Sequence, residues 1–379
     1  MDNKKKVGIA TLYTGFNYGS MLQAYALKMT IEELGYKGEI FKIKGSLIKG
    51  RDIRLGKLFT VVFRGLFNKG GLKELKNYKN SISKKLSEKI VNEFEKFKND
   101  YIKPTLITNN RLKKIAKQND FSAFVCGSDQ IWNSTSLYVD PFYYLRFAPQ
   151  KKRIAYAPSF GKDYVPKYNE KKIRKYVGEI KNKSVREQSG QEIIKMLTGE
   201  TVDVLIDPTL ILSAMEWDRL LNCKEDSNEK YLLAYFLDEP STKAKNMVSE
   251  IAEKEGLKVI YLPYETDWFN CAQTPFAGPK QFVELIKNAQ FVCTDSFHGT
   301  AFSINYNVPF FVFERNYGKA VKQSTRIQSI LEKTNLQNRF EPIDGAIMKE
   351  ISFDSANHFL NEQREKSKAF LKNAISENI

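Results

Sequence analysis

The chain has 379 residues, of which 42% are hydrophobic and 27% charged, and its formal net charge is +16. This is ordinary globular composition at a length that suits two domains, and no apolar run approaches the roughly 20 residues needed to span a bilayer. The positive balance favours anionic partners. No zinc-finger, basic-zipper or RNA-binding signature accompanies it, so nucleic acid is not expected among them.

The N-terminal MDNKKKVGIATLY has too short an apolar segment for a secretory signal and no cleavage site, so the chain is expected in the cytoplasm. Val7 to Tyr13 reads as a first strand. Gly15, Asn17 and Gly19 make a loop, and Ser20 begins a helix that runs to Leu34 and stops at Gly35. Strand, glycine loop and helix open a Rossmann-like unit, but without GxGxxG a dinucleotide site is not supported. Asn17, Tyr18 and Gln23 stand near the strand's carboxyl end as candidate ligand contacts. Simple capping of the turn is the alternative.

Ile40 to Lys44 is a second strand. Between Lys42 and Lys98, 16 Lys and Arg stand against 5 Asp and Glu. Within this stretch, Arg51 to Lys69 mixes basic residues with Leu58, Phe59, Val62, Phe63, Leu66 and Phe67. That is the composition of an interfacial helix, and it predicts peripheral contact with an anionic membrane. An ordinary domain helix is the competing reading. Lys73 to Tyr101 is expected to be helical, with Leu86, Ile90, Phe94 and Phe97 at helical spacing.

Ser122 to Cys126 is a buried strand that runs into GSDQIWN. Asp129, Gln130 and Trp132 together have the composition that grips a sugar: polar groups for hydroxyls and a ring for an apolar face. The alternative is a core tryptophan and a capping aspartate. Ile154 to Ser159 is a strand and Lys171 to Lys181 a helix. Ser184 to Glu187 forms a strand end whose Arg186 can hold phosphate or carboxylate bidentately, or pair with a neighbouring acid. Ser189 starts a helix, and Val202 to Ile206 is a strand closed by Asp207-Pro208.

A polar stretch from Ser213 to Lys230 marks a boundary. Beyond it come strands at Tyr231 to Leu237 and Lys258 to Leu262, and helices at Lys243 to Glu255 and Phe282 to Asn288. Asp354 to Ile375 is a long polar helix containing His358. The expected units are residues 1–213 with a basic insert at about 45–100, residues 214–350, and a helical tail at 351–379. Cys126, Cys223, Cys271 and Cys293 show no metal-ligand spacing, so they read as reduced and no metal site is expected. The expected fold class is α/β, with two Rossmann-like doubly wound domains and a C-terminal helix.

The most informative stretch is QFVCTDSFHGTAFSINYNVPFFVFE, Gln290 to Glu314. Phe291 to Thr294 is a short buried strand, and Asp295 and Ser296 are helix-start residues. Gly299 allows close approach of the backbone, and Phe310 to Phe313 is a second strand. A helix start beyond a strand offers free N–H groups and a partial positive charge to an anion. His298 sits there, with the side chain best suited to proton transfer near neutral pH. A hydrogen-bonded loop histidine is the plainer reading.

The segments NYGSMLQAYAL, GSDQIWN, SVREQSG, DPTLIL, GPKQFVELIKNAQFVCTDSFHGTAFS and STRIQSIL occur in an order that resembles the polysaccharide pyruvyl transferase family. The resemblance runs from Val7 to about Leu336. It implies a fold like that of two-domain GT-B glycosyltransferases, with the acceptor on the first domain and the donor on the second. It implies phosphoenolpyruvate as donor and no further cofactor. The acceptor would be a sugar of a bacterial surface polysaccharide or its lipid-linked precursor, and the product a pyruvate ketal. The family's donor-binding Arg-Leu-His segment corresponds here to Ser296-Phe297-His298. The histidine is kept and the arginine is lost, so another cation must replace it.

Phosphoenolpyruvate carries a phosphate and a carboxylate, so its site needs cations and N–H donors. Arg186, Arg326 and the helix start at Ser296, Phe297 and Gly299 are the candidates. His298 is the expected acid–base residue, and Asp129 a candidate base near the acceptor. A GT-B glycosyltransferase using a nucleotide sugar, or a catalytically inactive glycan-binding partner, would share the fold.

Overall fold

The computed structural model describes residues 4–13, 15–44, 55–67, 87–223, 229–262, 269, 276–315, 325–342 and 351–377. Seven strands form the first sheet: β1 (Lys6–Ala10), β2 (Lys37–Ile43), β3 (Thr105–Ile107), β4 (Phe121–Cys126), β5 (Arg153–Ala155), β6 (Asn182–Val185) and β7 (Asp203–Val204). All pair in parallel, in the order β3-β2-β1-β4-β5-β6-β7. Every residue of β4 is buried, as expected of a strand covered on both faces.

The helices of this half are α1 (Tyr18–Glu33), α2 (Leu55–Phe67), α3 (Glu88–Phe97), α4 (Asn109–Ile115), α5 (Lys167–Gly178), α6 (Gln188–Thr198), α7 (Pro208–Ile211) and α8 (Ala214–Leu221). The second sheet has β8 (Tyr231–Tyr235), β9 (Lys258–Leu262), β10 (Phe291–Thr294) and β11 (Phe310–Val312), parallel in the order β11-β10-β8-β9. With it go α9 (Thr242–Glu255), α10 (Pro279–Lys287), α11 (Phe297–Asn305) and α12 (Thr325–Lys333). The chain closes with α13 (Asp354–Ser376). This is the expected α/β layout of two Rossmann-like parallel sheets and a C-terminal helix.

The strand order reverses between β1 and β4 in the first sheet and between β8 and β10 in the second. Ligands of open α/β sheets bind beyond the strand ends at such switch points. The residues beyond β4 begin at Gly127 and those beyond β10 at Asp295, so both key motifs stand at switch points.

The two sheets share one core. Tyr18 of α1 stacks on Phe282 of α10, with ring centroids 4.6 Å apart, and its hydroxyl donates to the Ala277 carbonyl at 3.0 Å. Within the stretch Ser213 to Lys230, expected as a polar boundary, residues 214–221 form the capped helix α8, and 224–228 lie outside the described residues. Ser213 and Glu216 form a capping box on α8, and Trp217 packs between Tyr25 and Phe302. In α13, Arg364 donates to the Leu210 carbonyl at 3.1 Å and to Asn305 Oδ1 at 2.8 Å, tying both halves together.

Several element limits differ from expectation by a few residues, and two of the differences have a clear cause or limit. Asn17, not Ser20, caps α1: its side chain accepts from the Ser20 N–H at 3.0 Å. The helix expected over Lys73 to Tyr101 is α3, followed by a π-turn at Lys98–Ile102, while 73–86 lies outside the described residues. Cys126 and Cys293 are buried in strands, as expected, and Cys271 lies outside the described residues.

Candidate active site

The β4 end is shaped by Gly127, whose φ is +127° and whose Cβ, if present, would lie 1.8 Å from the Tyr156 carbonyl oxygen. A side chain cannot fit there, so the chain turns sharply and delivers Ser128 and Asp129 into the space beyond the sheet. Gln23 of α1 locks this turn. Its amide donates to the Leu12 carbonyl at 2.7 Å and accepts from the Ser128 N–H at 2.9 Å. Asp129 accepts from Ser20 Oγ at 2.6 Å and from the Gln130 N–H at 2.8 Å.

From the second sheet comes α11, capped by Ser296, whose hydroxyl accepts from the Gly299 N–H at 3.4 Å. His298 therefore lies in the first turn of a buried helix, not in a loop. Its ring packs on the backbone of α1. A Cβ on Gly19 would fall 1.9 Å from His298 Nδ1, so only glycine permits this approach.

The two halves meet at Asp207, the cap of α7. Its carboxylate accepts from Arg186 Nη1 at 2.5 Å, Ser128 Oγ at 3.2 Å, and the Thr209 N–H and hydroxyl at 3.0 and 2.9 Å. His298 Nε2 lies 3.9 Å from Asp207 Oδ1. The Arg186 guanidinium also sits over the Phe297 ring, 4.9 Å from its centre, and 3.7 Å from the Glu187 carboxylate.

These charges tune one another. Burial alone would raise the Asp207 carboxyl, but Arg186, His298 and the Thr209 N–H outweigh it and hold the group below its ordinary range. Burial opposes the charge on Arg186 as well, and Asp207, Glu187 and Asp129 more than restore it. His298 is lowered, chiefly by burial. Asp207 and Asp129 pull it up while Arg186 and Arg326 push it down. The free site thus holds a firm ion pair beside an imidazole that is neutral at pH 7.

Three buried nitrogens in this cluster make no hydrogen bond among the described residues: Arg186 Nε, Arg186 Nη2 and His298 Nε2. A buried donor without an acceptor is costly, and an oxygen-rich anion is the ligand that would satisfy all three. Beside them a small cavity is lined by Arg186, Asp207, Phe297, Arg326, Ser329 and Lys333. Arg326, Ser329 and Lys333 share one face of α12. With its amide turned so that oxygen meets the donors, Gln130 accepts from both terminal nitrogens of Arg326, at 2.9 and 3.3 Å.

Of the candidates from sequence, His298, Asp129, Arg186, Phe297, Arg326 and Gln130 converge here, with Ser296 and Gly299 forming the helix start beneath them. Three others are engaged elsewhere in the structure. Asn17 is consumed as the α1 cap, and Tyr18 is buried in the stack between Phe94 and Phe282. Trp132 is wholly buried, parallel to Tyr144, with its indole N–H on the Tyr143 carbonyl at 3.0 Å, so it cannot cover a sugar. Asp207, Ser20, Gly19 and Lys333 were missed.

Asp295, a helix-start residue by sequence, does more than begin α11. It accepts from the Leu237 and Asp238 N–H groups at 2.8 and 3.2 Å and stands 3.4 Å from Arg315. Burial raises its carboxyl to about 6. Among the described residues, no group of three or more His, Cys, Asp or Glu could hold a metal ion. No helix among them is long and apolar enough to cross a membrane.

A cavity beside buried cations, where segments leaving both parallel sheets converge, suits an anionic ligand of an α/β protein. The sequence profile of the polysaccharide pyruvyl transferase family matches residues 17–317, most of the chain, and the protein belongs to that family. No curated protein matches it. Solved structures similar to it include the S. aureus MnaA–UDP complex, at 12% identity and TM-score 0.47, covering 98% of this chain and 91% of that one. The UDP-GlcNAc 2-epimerase from Neisseria meningitidis bound to UDP-GlcNAc is 12% identical with TM-score 0.43, covering 95% and 100%. The glycosyltransferase SnogD from Streptomyces nogalater is 10% identical with TM-score 0.41, covering 98% and 95%.

Proposed function

We propose that this cleft transfers pyruvate from phosphoenolpyruvate to two hydroxyls of one sugar, in a bacterial surface polysaccharide or its lipid-linked precursor. The product is a cyclic ketal and the leaving group is phosphate. The observation that carries this reading is the set of unpaired buried nitrogens on Arg186 and His298 at the start of α11. An acid beside a cationic cradle is what an enol phosphate needs. Arg186, Arg326 and Lys333 together supply the positive charge that the family's missing arginine would have given. The donor is cytoplasmic, so the reaction belongs on that side of the membrane.

In the reaction, a proton adds to the methylene carbon of phosphoenolpyruvate and C2 becomes electrophilic. One sugar hydroxyl attacks C2 and gives up its proton, leaving a tetrahedral carbon that still bears phosphate. The second hydroxyl attacks, the C2–O bond to phosphate breaks, and the second proton leaves with phosphate. His298 is assigned the proton delivery. Its imidazole is neutral in the free site, and the negative charge of the bound donor would raise it toward protonation. Asp129, held by Ser20 beside the Gln130–Arg326 pair, is assigned to take the proton of the first hydroxyl. The scheme calls for no cofactor beyond the donor.

The test is phosphate release from phosphoenolpyruvate with nitrophenyl hexosides or lipid-linked sugars as acceptors. His298→Ala should lose roughly 10²–10⁴ in rate while remaining folded. His298→Gln should be nearly as inactive, because an amide hydrogen-bonds but does not titrate near neutral pH. Restored turnover in His298→Gln would reduce His298 to a binding group. A fully active His298→Ala would remove the assignment. Stabilisation by nucleotide sugars, and not by phosphoenolpyruvate, in a thermal-shift comparison would favour the glycosyltransferase reading.

A further inference from the structure

The apolar stripe of α2 faces away from the protein. Phe59, Val62, Phe63, Leu66 and Phe67 recur at the spacing of one helical face, and they are 41 to 73% exposed. The Phe59 and Phe63 rings stack at 6.1 Å, and those of Phe63 and Phe67 approach to 4.7 Å, so the exposed face is a continuous ridge. The opposite side holds the helix down. Val61 is buried, Arg64 donates to Asn169 Oδ1 at 2.7 Å and to the Leu137 carbonyl at 3.4 Å, and the Lys57 ammonium lies 5.5 Å from the centre of the Tyr138 ring. A helix that served only its own domain would turn the phenylalanines inward.

The neighbour of α2 is basic. Asn169 belongs to α5, which carries five Lys and Arg against one acid, Glu170, itself paired with Arg174 at 2.6 Å. Lys167, Lys171 and Lys175 are exposed, and Lys172 reaches the same Tyr138 ring as Lys57, at 5.4 Å. An apolar ridge next to a helix whose exposed lysines make no ion pair among the described residues is complementary to a bilayer with anionic headgroups. A second copy of the chain would bring the same positive charge against it.

We propose that α2 and the exposed lysines of α5 form a docking surface for an anionic lipid bilayer. The phenylalanines and Leu66 enter the boundary between headgroups and acyl chains, and the lysines meet the phosphates. The orientation has a consequence for the proposed reaction, on which this part rests. A cavity of 280 Å³ lies under α2, lined in part by Lys57, Val61, Asn133, Tyr138 and Tyr143, and it reaches Gln130. Gln130 is the partner of Arg326, so docking brings the acceptor side of the cleft to the membrane, where a lipid-linked sugar would be presented.

The experiment is sedimentation of the full chain with vesicles of phosphatidylcholine alone, or of phosphatidylcholine mixed with phosphatidylglycerol. Binding is expected to the mixed vesicles, and high salt should release it, since screening shortens the reach of the lysines to a few ångströms. Phe63→Ser with Phe67→Ser, and separately Lys171→Glu with Lys175→Glu, should each weaken binding by roughly tenfold or more. Neither pair touches the cleft, so phosphate release with a water-soluble acceptor should stay at the wild-type rate. Variants that bind as well as wild type overturn the proposal, as does equal binding to both vesicle types. A wild-type dimer that dissociates in the Phe63→Ser, Phe67→Ser variant would identify a second copy as the occupant and also overturn it. Vesicle binding without any phosphate release would support this surface while telling against the proposed reaction.

Discussion

Asp207 is the residue whose removal should reveal most about how the site is held together. Asp207→Leu would leave the Arg186 guanidinium buried without its closest partner, with Glu187 at 3.7 Å and Asp129 as the remaining acids that act on it. Breaking a buried pair from one side costs roughly 3–5 kcal/mol, and loss of the α7 cap adds about 1 kcal/mol. Arg186→Met should cost less. It leaves Asp207 with the Thr209 N–H and hydroxyl, the Ser128 hydroxyl and the nearby His298. The double variant removes both charges and fills the space with apolar atoms, and such replacements are often neutral. Its stability should therefore recover well above the sum of the single losses, giving a coupling energy of several kcal/mol in a urea-unfolding double-mutant cycle. Additivity to within about 0.5 kcal/mol would refute the reasoning, because independent sites behave that way. The recovered double variant should still release no phosphate, since the free nitrogens of Arg186 are gone with it. Activity in that variant would mean that the pair is purely structural.

Gly19→Ala puts a methyl group into the His298 ring, so either the imidazole or α1 must shift. A loss of roughly 1–3 kcal/mol in stability and a marked fall in phosphate release are expected, and a fully active, equally stable variant would contradict the packing of α1 on His298. The lowered His298 predicts a pH dependence of stability. The folded state takes up this proton less readily than the unfolded chain, so the contribution is present above about pH 6.5 and is lost as the pH falls below it. Urea midpoints of wild type and His298→Gln should diverge between pH 8 and pH 5, with wild type losing more on acidification, and parallel curves would show that His298 is not buried as described.

The fold was largely legible because parallel strands covered on both faces read as short apolar runs. VGIA, AFVC and FVCT each occupy a strand in the middle of a sheet. Limits were less legible where side chains, not apolar period, decide them. Asn17 and Ser20 are both acceptable caps, and only the tertiary position of Asp129 shows why Ser20 is inside the helix: its hydroxyl is needed there. The polar stretch after Ser213 looked like a linker because a surface-facing helix shared by two domains is mostly polar. Its single tryptophan, buried between Tyr25 and Phe302, carries the packing.

The site was legible where the residue type matched the position, and obscure where two distant segments had to meet. His298 and Arg186 stood out because a histidine and an arginine at strand ends have few structural duties there. Trp132 misled for the same reason in reverse. An indole next to a carboxylate suits a sugar, yet an aromatic of that size is more readily buried when a carbonyl such as that of Tyr143 can take its N–H. Asp207 gave a local signal only as the aspartate of an Asp-Pro helix start, which it also is. Its other duty depends on Arg186, Ser128 and His298, which lie 21, 79 and 91 positions away. A spacing rule cannot see such a meeting, because it is made by segments that leave four different strands, β4, β6, β7 and β10, of two sheets. What the sequence does hold is a requirement: an arginine at a buried strand end needs a buried carboxylate. Two acids stood within reach of the strands flanking Arg186, Glu187 and Asp207. Glu187 follows Arg186 directly, and its Oε1 accepts from the Phe160 N–H at 3.1 Å. Asp207, at the end of the neighbouring strand's run, is the one free to face the histidine.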